Sequence, residues 1–373
     1  MPYLIFKKEE SNLWFDFCIV QLSINRALSF RNSKKLRVGL PVKYILKRLW
    51  FYILAFFGAL ALNFFLPRMM PGNPVQMFLS SLYKSGGVVD NHTIAAVEKL
   101  FGYDTHTPVI IAFFNYVGNI FKGNWGVSFT FYPQTVLEAT GRGVRWTVFL
   151  LGTALILGFI INTLLGILVA WKRGSRLDTA LTVGGQIMAN IPSVITAIIL
   201  LMALAFTDIF PRGYAVTPLF FPENIFQSIG DVAYHAFLPV LAVIITGLGG
   251  IMGMRANMIN QLGEDYIVMG IAKGVPDKKI MFGYGARNAL LPVVTSLAMQ
   301  IGFLLGGSLI VELVFNYPGL GQIMVMAISR RDYPLMEGIL LMTTILMLSA
   351  NFIADISIMI LDPRTRRQSV NRN

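Results

Sequence analysis

Polar side chains within strongly apolar stretches are the residues best placed to carry chemistry in this sequence, and they are Glu312, Glu337, Asn351 and Asp355. A charge at the centre of a bilayer costs roughly 2.5 to 3.5 kcal/mol on insertion scales, so such residues need a partner or a function. Asn351 and Asp355 share one helical face, which suits either a proton relay or a helix–helix hydrogen bond, and we favour the hydrogen bond. Glu312 and Glu337 lie near one end of their apolar runs, where we expect water to solvate them. We therefore assign no site to them beyond a possible pore or helix contact at Glu312.

A bend is indicated in another apolar run, where Asn190 is followed by Pro192. Because proline frees a backbone carbonyl that must find a partner, the bend either lines a pore or is a packing kink. Elsewhere we find no nucleophile with a base, no clustered metal ligands and no G-x-x-x-x-G-K-[ST] phosphate loop. The single Cys18 excludes an internal disulfide. We expect no catalytic residue, no metal and no cofactor bound by this chain.

The elements that position these residues are predicted to be membrane-spanning helices. Hydrophobic residues make up 55% of the 373 residues and charged residues 13%, whereas soluble domains average about half and about a quarter. A helix needs about 20 mostly apolar residues to cross a hydrocarbon core of roughly 30 Å. Six runs qualify: Leu49 to Leu66, Trp146 to Trp171, Thr179 to Phe206, Ala236 to Met254, Leu290 to Phe315 and Leu335 to Leu361. The predicted fold class is an all-α membrane protein with six transmembrane helices.

The distribution of basic residues predicts which side of the membrane each loop occupies, because short cytoplasmic loops hold an excess of Lys and Arg. With six spans both termini fall on one side, which holds 22 Lys and Arg in 102 residues, and the other side holds 9 in 127. Both termini are thus expected in the cytoplasm of a multi-pass cell-membrane protein, and no signal peptide is evident. The net charge of +12 follows from this topology, so we expect no nucleic-acid partner.

The spans divide the chain into regions: a cytoplasmic or interfacial extension (1–43), a first transmembrane helix (44–66), an external region (67–145), a core of five helices (146–361) and a cytoplasmic tail (362–373). The external region is too long for a simple turn. Its helical patterns at His92 to Phe101 and Val109 to Phe121, after a turn signal at Pro71 to Pro74, predict a folded external loop.

The loop at residues 255–289 is unusually long beside the seven-residue loop at 172–178. Apolar residues in it recur at helical spacing and predict an amphipathic helix, namely Met258, Ile259, Leu262, Tyr266 and Met269. Gly274 is placed to end that helix in the left-handed conformation, and Pro276 cannot continue it. A second short helix is expected from Lys278 to about Tyr284. This surface suits docking of another protein; the alternatives are an interfacial helix on lipid and, disfavoured because flanking spans hold the loop at the bilayer, a DNA-binding helix-turn-helix.

Short motifs follow one another along the chain in a definite order. They are Pro71-Gly72-Asn73-Pro74, Gly123-Asn124-Trp125-Gly126-Val127-Ser128, Asp265-Tyr266-Ile267, Ala272-Lys273-Gly274, Arg287-Asn288-Ala289-Leu290-Leu291-Pro292, Glu312-Leu313-Val314-Phe315, Pro318-Gly319-Leu320-Gly321, Arg331-Asp332-Tyr333-Pro334 and Asp362-Pro363-Arg364. In this order they resemble the signature blocks of ABC importer permeases of the dipeptide and oligopeptide class. The resemblance covers about residues 44 to 366.

The resemblance implies a type I importer, in which this chain and a second homologous permease form the pore within membrane lipid. It also implies two cytoplasmic ATPase subunits that use ATP and Mg²⁺, and an external solute-binding protein. In that family a short helix of the inner loop sits in a groove of the ATPase and transmits its closure to the spans. The residues thereby assigned to the ATPase-coupling loop are Glu264, Asp265, Tyr266, Ile267, Gly270, Ala272, Lys273, Gly274, Arg287, Asn288 and Pro292.

The sequence departs from the family pattern at Gly270-Ile271, where Ala-Arg is common, and at Asn73 and Asn124, where Asp is usual. Glycine lowers helix propensity by about 1 kcal/mol relative to alanine, which bears on how the helix packs. The expected solute is a dipeptide or oligopeptide, with oligosaccharides or metal complexes as alternatives. A proton-coupled transporter using Glu312 or Asp355 is the rival mechanism, although we see no inverted repeat; a membrane scaffold without transport is a further alternative.

Overall fold

The computed structural model describes residues 42–70, 78–80, 83, 90, 107–204, 209–219, 221–307 and 309–361. The predicted extension, the tail, the turn at Pro71 to Pro74 and the helix at His92 to Phe101 lie wholly or almost wholly outside these residues. The chain divides into two units, Met1–Lys47 and Arg48–Asn373, and the packing described below lies within the second.

The described part of the chain is predominantly helical. Its helices are α1 (Val42–Arg68), α2 (Val109–Phe121), α3 (Val136–Trp171), α4 (Arg176–Ala189), α5 (Ser193–Leu204), α6 (Ile225–Thr246), α7 (Gly250–Leu262), α8 (Asp265–Ala272), α9 (Asp277–Lys279), a π-helix (Ile280–Ala286), α10 (Arg287–Gly307), α11 (Leu309–Val314), α12 (Leu320–Arg330) and α13 (Tyr333–Leu361). The long helix α3 lies at the centre, where α4, α6, α7, α10, α12 and α13 pack against it.

Four helices in the described residues are long and apolar enough to cross a membrane, and they are α3, α6 and most of α1 and α13. A fifth crossing results if α4 and α5, which meet at 104°, are counted as one broken span. The first, second and last predicted spans lie within α1, α3 and α13.

The prediction of a continuous helix from Ala236 to Met254 is wrong, because α6 ends at Thr246 and α7 begins at Gly250. Gly247 and Gly249 fall in this interruption, and glycine is among the weakest helix formers. The third predicted span is also interrupted, between Ala189 and Ser193. Hydropathy alone therefore located the apolar runs but not their breaks.

The expectation that water solvates Glu312 and Glu337 is also wrong, since both are buried, with exposed fractions of 0% and 6%. The Glu312 carboxylate accepts a hydrogen bond from the backbone N–H of Gly321 at 2.7 Å, in the first turn of α12. Glu337 pairs with the guanidinium of Arg68 on α1. Each carboxylate therefore has a protein partner in place of water.

Helices α1 and α13 are joined by two ion pairs. Near one end, Asp355 accepts hydrogen bonds from Arg48 and from the Tyr52 hydroxyl, each at 2.6 Å. Near the other end, Arg68 pairs with Glu337. The two arginines are 20 residues apart, which is about 30 Å at 1.5 Å per residue, close to the thickness of a hydrocarbon core. The two pairs are therefore separated along α1 by about the thickness of a hydrocarbon core.

Candidate functional site

The loop at residues 255–289 folds into short helices at one end of the bundle. Helix α7 ends with Gly263 as its C-cap, and Glu264 adopts extended backbone before α8 begins at Asp265. The single amphipathic helix predicted from Met258 to Met269 is therefore wrong. The apolar periodicity crosses the break without a change of phase, so periodicity could not detect it. Asp265 lies in the first turn of α8, where a negative charge is favourable.

The predicted end of α8 is confirmed. Gly274 has φ +72°, in the left-handed region, and its N–H donates to the carbonyl oxygen of Ile271 at 2.9 Å. Helix α9 then begins at Asp277, directly after Pro276. A separate second helix ending near Tyr284 is wrong, because the π-helix runs from α9 into α10 without interruption. No glycine-proline break of the kind that ends α8 occurs between Tyr284 and Arg287.

Helix α8 has one face packed against the bundle and one face open. Ile267 is 2% exposed, and Gly270 is also buried. Val268, Met269 and Ile271, on the open side, are 58–60% exposed. An isolated exposed apolar side chain is ordinary, but three on one two-turn helix form a patch of the kind that marks an interaction surface. Ala272, Lys273 and Gly274 are exposed at its tip.

A hydrogen-bonded chain fixes α8 to its neighbours. The Tyr266 hydroxyl donates to Oε1 of Gln261 on α7 at 2.8 Å. Nδ2 of Asn288 on α10 donates to the same hydroxyl at 3.1 Å. Tyr266 thus ties α8 to the helices on both sides of it. The fold brings together two of the predicted loop residues, Tyr266 and Asn288, which are 22 positions apart.

The other predicted loop residues take separate positions. Glu264 and Asp265 are exposed at the start of α8, and Arg287 is exposed at the start of α10. Pro292 lies within α10, one turn further along.

The candidate pore or helix-contact residues are not gathered around this loop. Asn190 caps the C-terminus of α4, where its Nδ2 donates to the Gln186 carbonyl oxygen at 2.7 Å, and Pro192 follows in the break before α5. Glu312 and Asp355 have the partners described above. Asn351 is half-buried on α13. Among the described residues, no group of three or more His, Cys, Asp or Glu side chains could hold a metal ion.

An ion pair that the sequence did not predict lies close to the loop. Oδ1 of Asp178 accepts from Nε of Arg255 at 2.6 Å, and Oδ2 accepts from Nη2 at 2.8 Å. The Asp178 side chain is 5% exposed, and the hydrogen bond from Arg255 holds its pKa well below the usual range. A depressed carboxyl pKa contributes stability above the ordinary pKa and loses it only as pH falls through the folded value. The pair is therefore intact at neutral pH. The one available signal was Asp178 itself, the single acid in the loop at 172–178.

Replacing Gly274 by alanine is expected to destabilise the tip of α8 by about 1 kcal/mol, because an L side chain is strained at positive φ. Gly263 is the matched control, since its φ of −83° suits alanine. Amide hydrogen exchange across residues 263–276 measures the effect. Faster exchange after Gly263→Ala than after Gly274→Ala would contradict this account.

Sequence comparisons place this bundle and loop among known proteins. Residues 162–367 match the family described as binding-protein-dependent transport system inner membrane component. Over 323 residues the chain is 31% identical to the oligopeptide transport system permease protein AppB of Bacillus subtilis (strain 168), an alignment that covers 86% of this chain and 98% of that protein.

Two further relatives show the same extent of similarity. The di/tripeptide transport system permease protein DppB of Pseudomonas aeruginosa (strain UCBPP-PA14) is 32% identical over 353 residues, with 88% of this chain and 99% of that protein covered. The glutathione transport system permease protein GsiC of Escherichia coli (strain K12) is 29% identical over 332 residues, with 87% and 99% covered. The similarity therefore extends well beyond the 255–289 loop.

Proposed function

We propose, because this chain belongs to the family of binding-protein-dependent transport system inner membrane components, that it forms half of the pore of an ATP-driven peptide importer. The chain is a membrane permease subunit and not an enzyme. Its relatives are named for oligopeptides, di- and tripeptides and glutathione, which supports a peptide as the solute over an oligosaccharide or a metal complex.

The proposed assembly has a second homologous permease, two cytoplasmic ATPase subunits that bind ATP and Mg²⁺, and an external solute-binding protein. The chain crosses the membrane six times with both termini in the cytoplasm, so that residues 67–145 lie outside and the 255–289 loop lies inside. The third crossing runs through α4 from Thr179 and then α5, and the fourth runs through α6 and the start of α7 as far as Met254. The count of basic residues on the two sides supports this orientation.

The proposal rests on one observation: α8 has an open apolar face and is hydrogen-bonded to the helices on both sides of it. Val268, Met269 and Ile271 are exposed, while the Tyr266 hydroxyl links α8 to α7 and α10. A surface that is to receive force must be accessible to its partner and tied to the helices that it moves. The 255–289 loop meets both requirements, and ATP-driven closure of the partners would then bias the spans toward the outward-facing state.

A proton-coupled transporter is not favoured. Asp355 is engaged by Arg48 and Tyr52 in a contact between α1 and α13. Glu312 accepts a hydrogen bond from the first turn of α12. Each carboxylate therefore has a structural contact that does not require a transported proton.

Co-purification and uptake together test the proposal. When the chain is co-expressed with its ATPase and second permease subunits in membrane vesicles, we expect the ATPases to co-purify with it. Peptide uptake should require ATP and the external binding protein, and should vanish when the ATP site of the ATPases is disabled. Uptake that persists without functional ATPases would refute the importer assignment.

A further inference from the structure

Two interruptions in the spanning helices lie next to each other in the fold. The first separates α4 from α5 at Asn190–Pro192 and bends the chain by 104°. The second separates α6 from α7 at Gly247–Gly249. A Cβ atom placed on Gly249 would lie 2.8 Å from Cβ of Ala189, the last residue of α4. Both spans are therefore broken at one level of the bundle, which we call the break level.

On the loop side of the break level, α4 and α7 pack against each other. The contact at Ala189 and Gly249 joins them at one end. The bidentate pair between Asp178 and Arg255 joins them toward the other end. The two helices are therefore fastened at two separated points.

The Asp178 carboxylate accepts hydrogen bonds from two further groups in addition to the Arg255 guanidinium. Besides Arg255, it accepts hydrogen bonds from the backbone N–H of Gly174 at 2.9 Å and from Oγ1 of Thr182 at 3.2 Å. Charge-assisted bidentate pairs fix geometry as well as supply energy. Removing one partner of a buried pair leaves an uncompensated charge. The geometry therefore resists separation of α4 from α7.

Helix α8 is connected directly to α7, one of these two helices. Only Gly263 and Glu264 separate α7 from α8, and the hydrogen bond from Tyr266 to Gln261 spans that junction. A displacement of α8 must therefore move α7, and the pair at Asp178 makes α4 move with it.

We propose that α4 and α7 move as one lever about the break level, with Asp178 and Arg255 as positioning residues that hold the lever together. This inference rests on the proposed importer function and specifies which helices carry the movement of α8 into the membrane. Breaking the pair would let α8 and α7 respond to the ATPases without moving α4, so ATP would be hydrolysed with little transport.

Asp178→Asn and Arg255→Gln, each in the complete importer, test the positioning role. Coupling between sites typically corresponds to roughly 5- to 150-fold effects, so we expect peptide imported per ATP hydrolysed to fall about tenfold. ATPase subunits should still co-purify with both variants. Arg173→Gln, an exposed arginine in the same 172–178 loop, is the matched control and should leave the ratio unchanged. Wild-type ratios in both variants would overturn the proposal.

A cross-link at the break level gives a second test. In a Cys18→Ser background, the pair Ala189→Cys and Gly249→Cys should form a disulfide, because the Cβ atoms are closer than the usual 3.5–4.5 Å and need only a small separation. If α4 and α7 move together, the oxidised importer should retain at least about half of the uptake of the same sample after reduction. Loss of uptake on oxidation, restored by reductant, would overturn the lever.

The experiments distinguish failure of the proposed importer function from failure of the proposed lever. Wild-type uptake that needs no ATPase would contradict the importer function. ATP-driven wild-type uptake, combined with unaltered coupling in the two variants or a blocking cross-link, would contradict the lever alone.

Discussion

A single negative charge on the open face of α8, introduced as Val268→Asp or Ile271→Asp, is expected to abolish ATP-dependent peptide uptake and to release the ATPase subunits. Both side chains are 60% exposed in the chain itself, so the substitutions should leave the fold of the permease unchanged. In the assembled importer the same face would be covered by the ATPase, and a carboxylate without a partner there is costly to desolvate. Truncating a hot-spot residue near the centre of an interface costs about 2 kcal/mol or more of binding free energy, which corresponds to roughly 30-fold weaker binding.

The measurement is recovery of ATPase subunits with the affinity-purified chain, together with uptake into vesicles. Asn260→Asp adds the same charge to an exposed position on the neighbouring helix α7 and should change neither quantity. Ile267→Ala, which truncates the buried side of α8, should instead lower the amount of folded protein. ATPase recovery equal to that of the unmodified chain in both aspartate variants would exclude α8 as the docking surface.

Local signals in the sequence predicted the end of α8 correctly because they act within a few residues. Gly274 has the left-handed backbone that its position suggested, and Pro276 directly precedes the start of the next helix. The break at Gly263 escaped prediction for a physical reason: Leu262 and Tyr266 remain on the pattern of a single helix even though the chain leaves helical geometry between them.

Pairings between distant residues could not be predicted from one sequence. Asp178 and Arg255 are 77 positions apart, and Arg68 and Glu337 are 269 apart. Residue type indicated that a buried carboxylate needs a partner, but any of several basic residues could have supplied it. Glu312 shows a further difficulty, because its hydrogen-bond donor is the backbone N–H of Gly321, and every residue except proline has such a group.

The two helix breaks that define the break level could not be predicted from hydropathy either. The runs at Thr179 to Phe206 and Ala236 to Met254 are apolar throughout their length, so both satisfied the criterion for one uninterrupted span. The structure instead divides each at Asn190–Pro192 and at Gly247–Gly249. Proline was recognised as a bend, whereas a glycine-rich segment in a membrane helix is equally consistent with close helix packing. Only the spatial adjacency of the two breaks gives them a common role.

Replacing Arg68 by leucine is expected to destabilise the solubilised chain by about 3–5 kcal/mol, because it leaves the buried Glu337 carboxylate without its ion-pair partner. Glu337→Leu should have a smaller effect, because the Arg68 guanidinium keeps its hydrogen bond to the Phe64 carbonyl oxygen at 2.9 Å and its position over the Phe64 ring at 3.6 Å. The double variant with leucine at both positions should recover most of the loss, since apolar replacements of a whole buried pair are often neutral. Thermal unfolding followed by size-exclusion chromatography in detergent measures all three.

Arg48→Leu is the matched control at the other end of α1, where the arginine pairs with Asp355 but its side chain is 41% exposed. Exposed ion pairs contribute about 0–1 kcal/mol, so the loss there should be several-fold smaller. A double variant no more stable than Arg68→Leu alone would mean that the pair does not act as a unit. Equal losses at Arg48 and Arg68 would mean that burial does not set the cost. A large loss at Arg68 with a small one at Arg48 would show that burial of the acidic partner, whose side chain is 8% exposed at Glu337 against 19% at Asp355, sets the cost of losing each arginine.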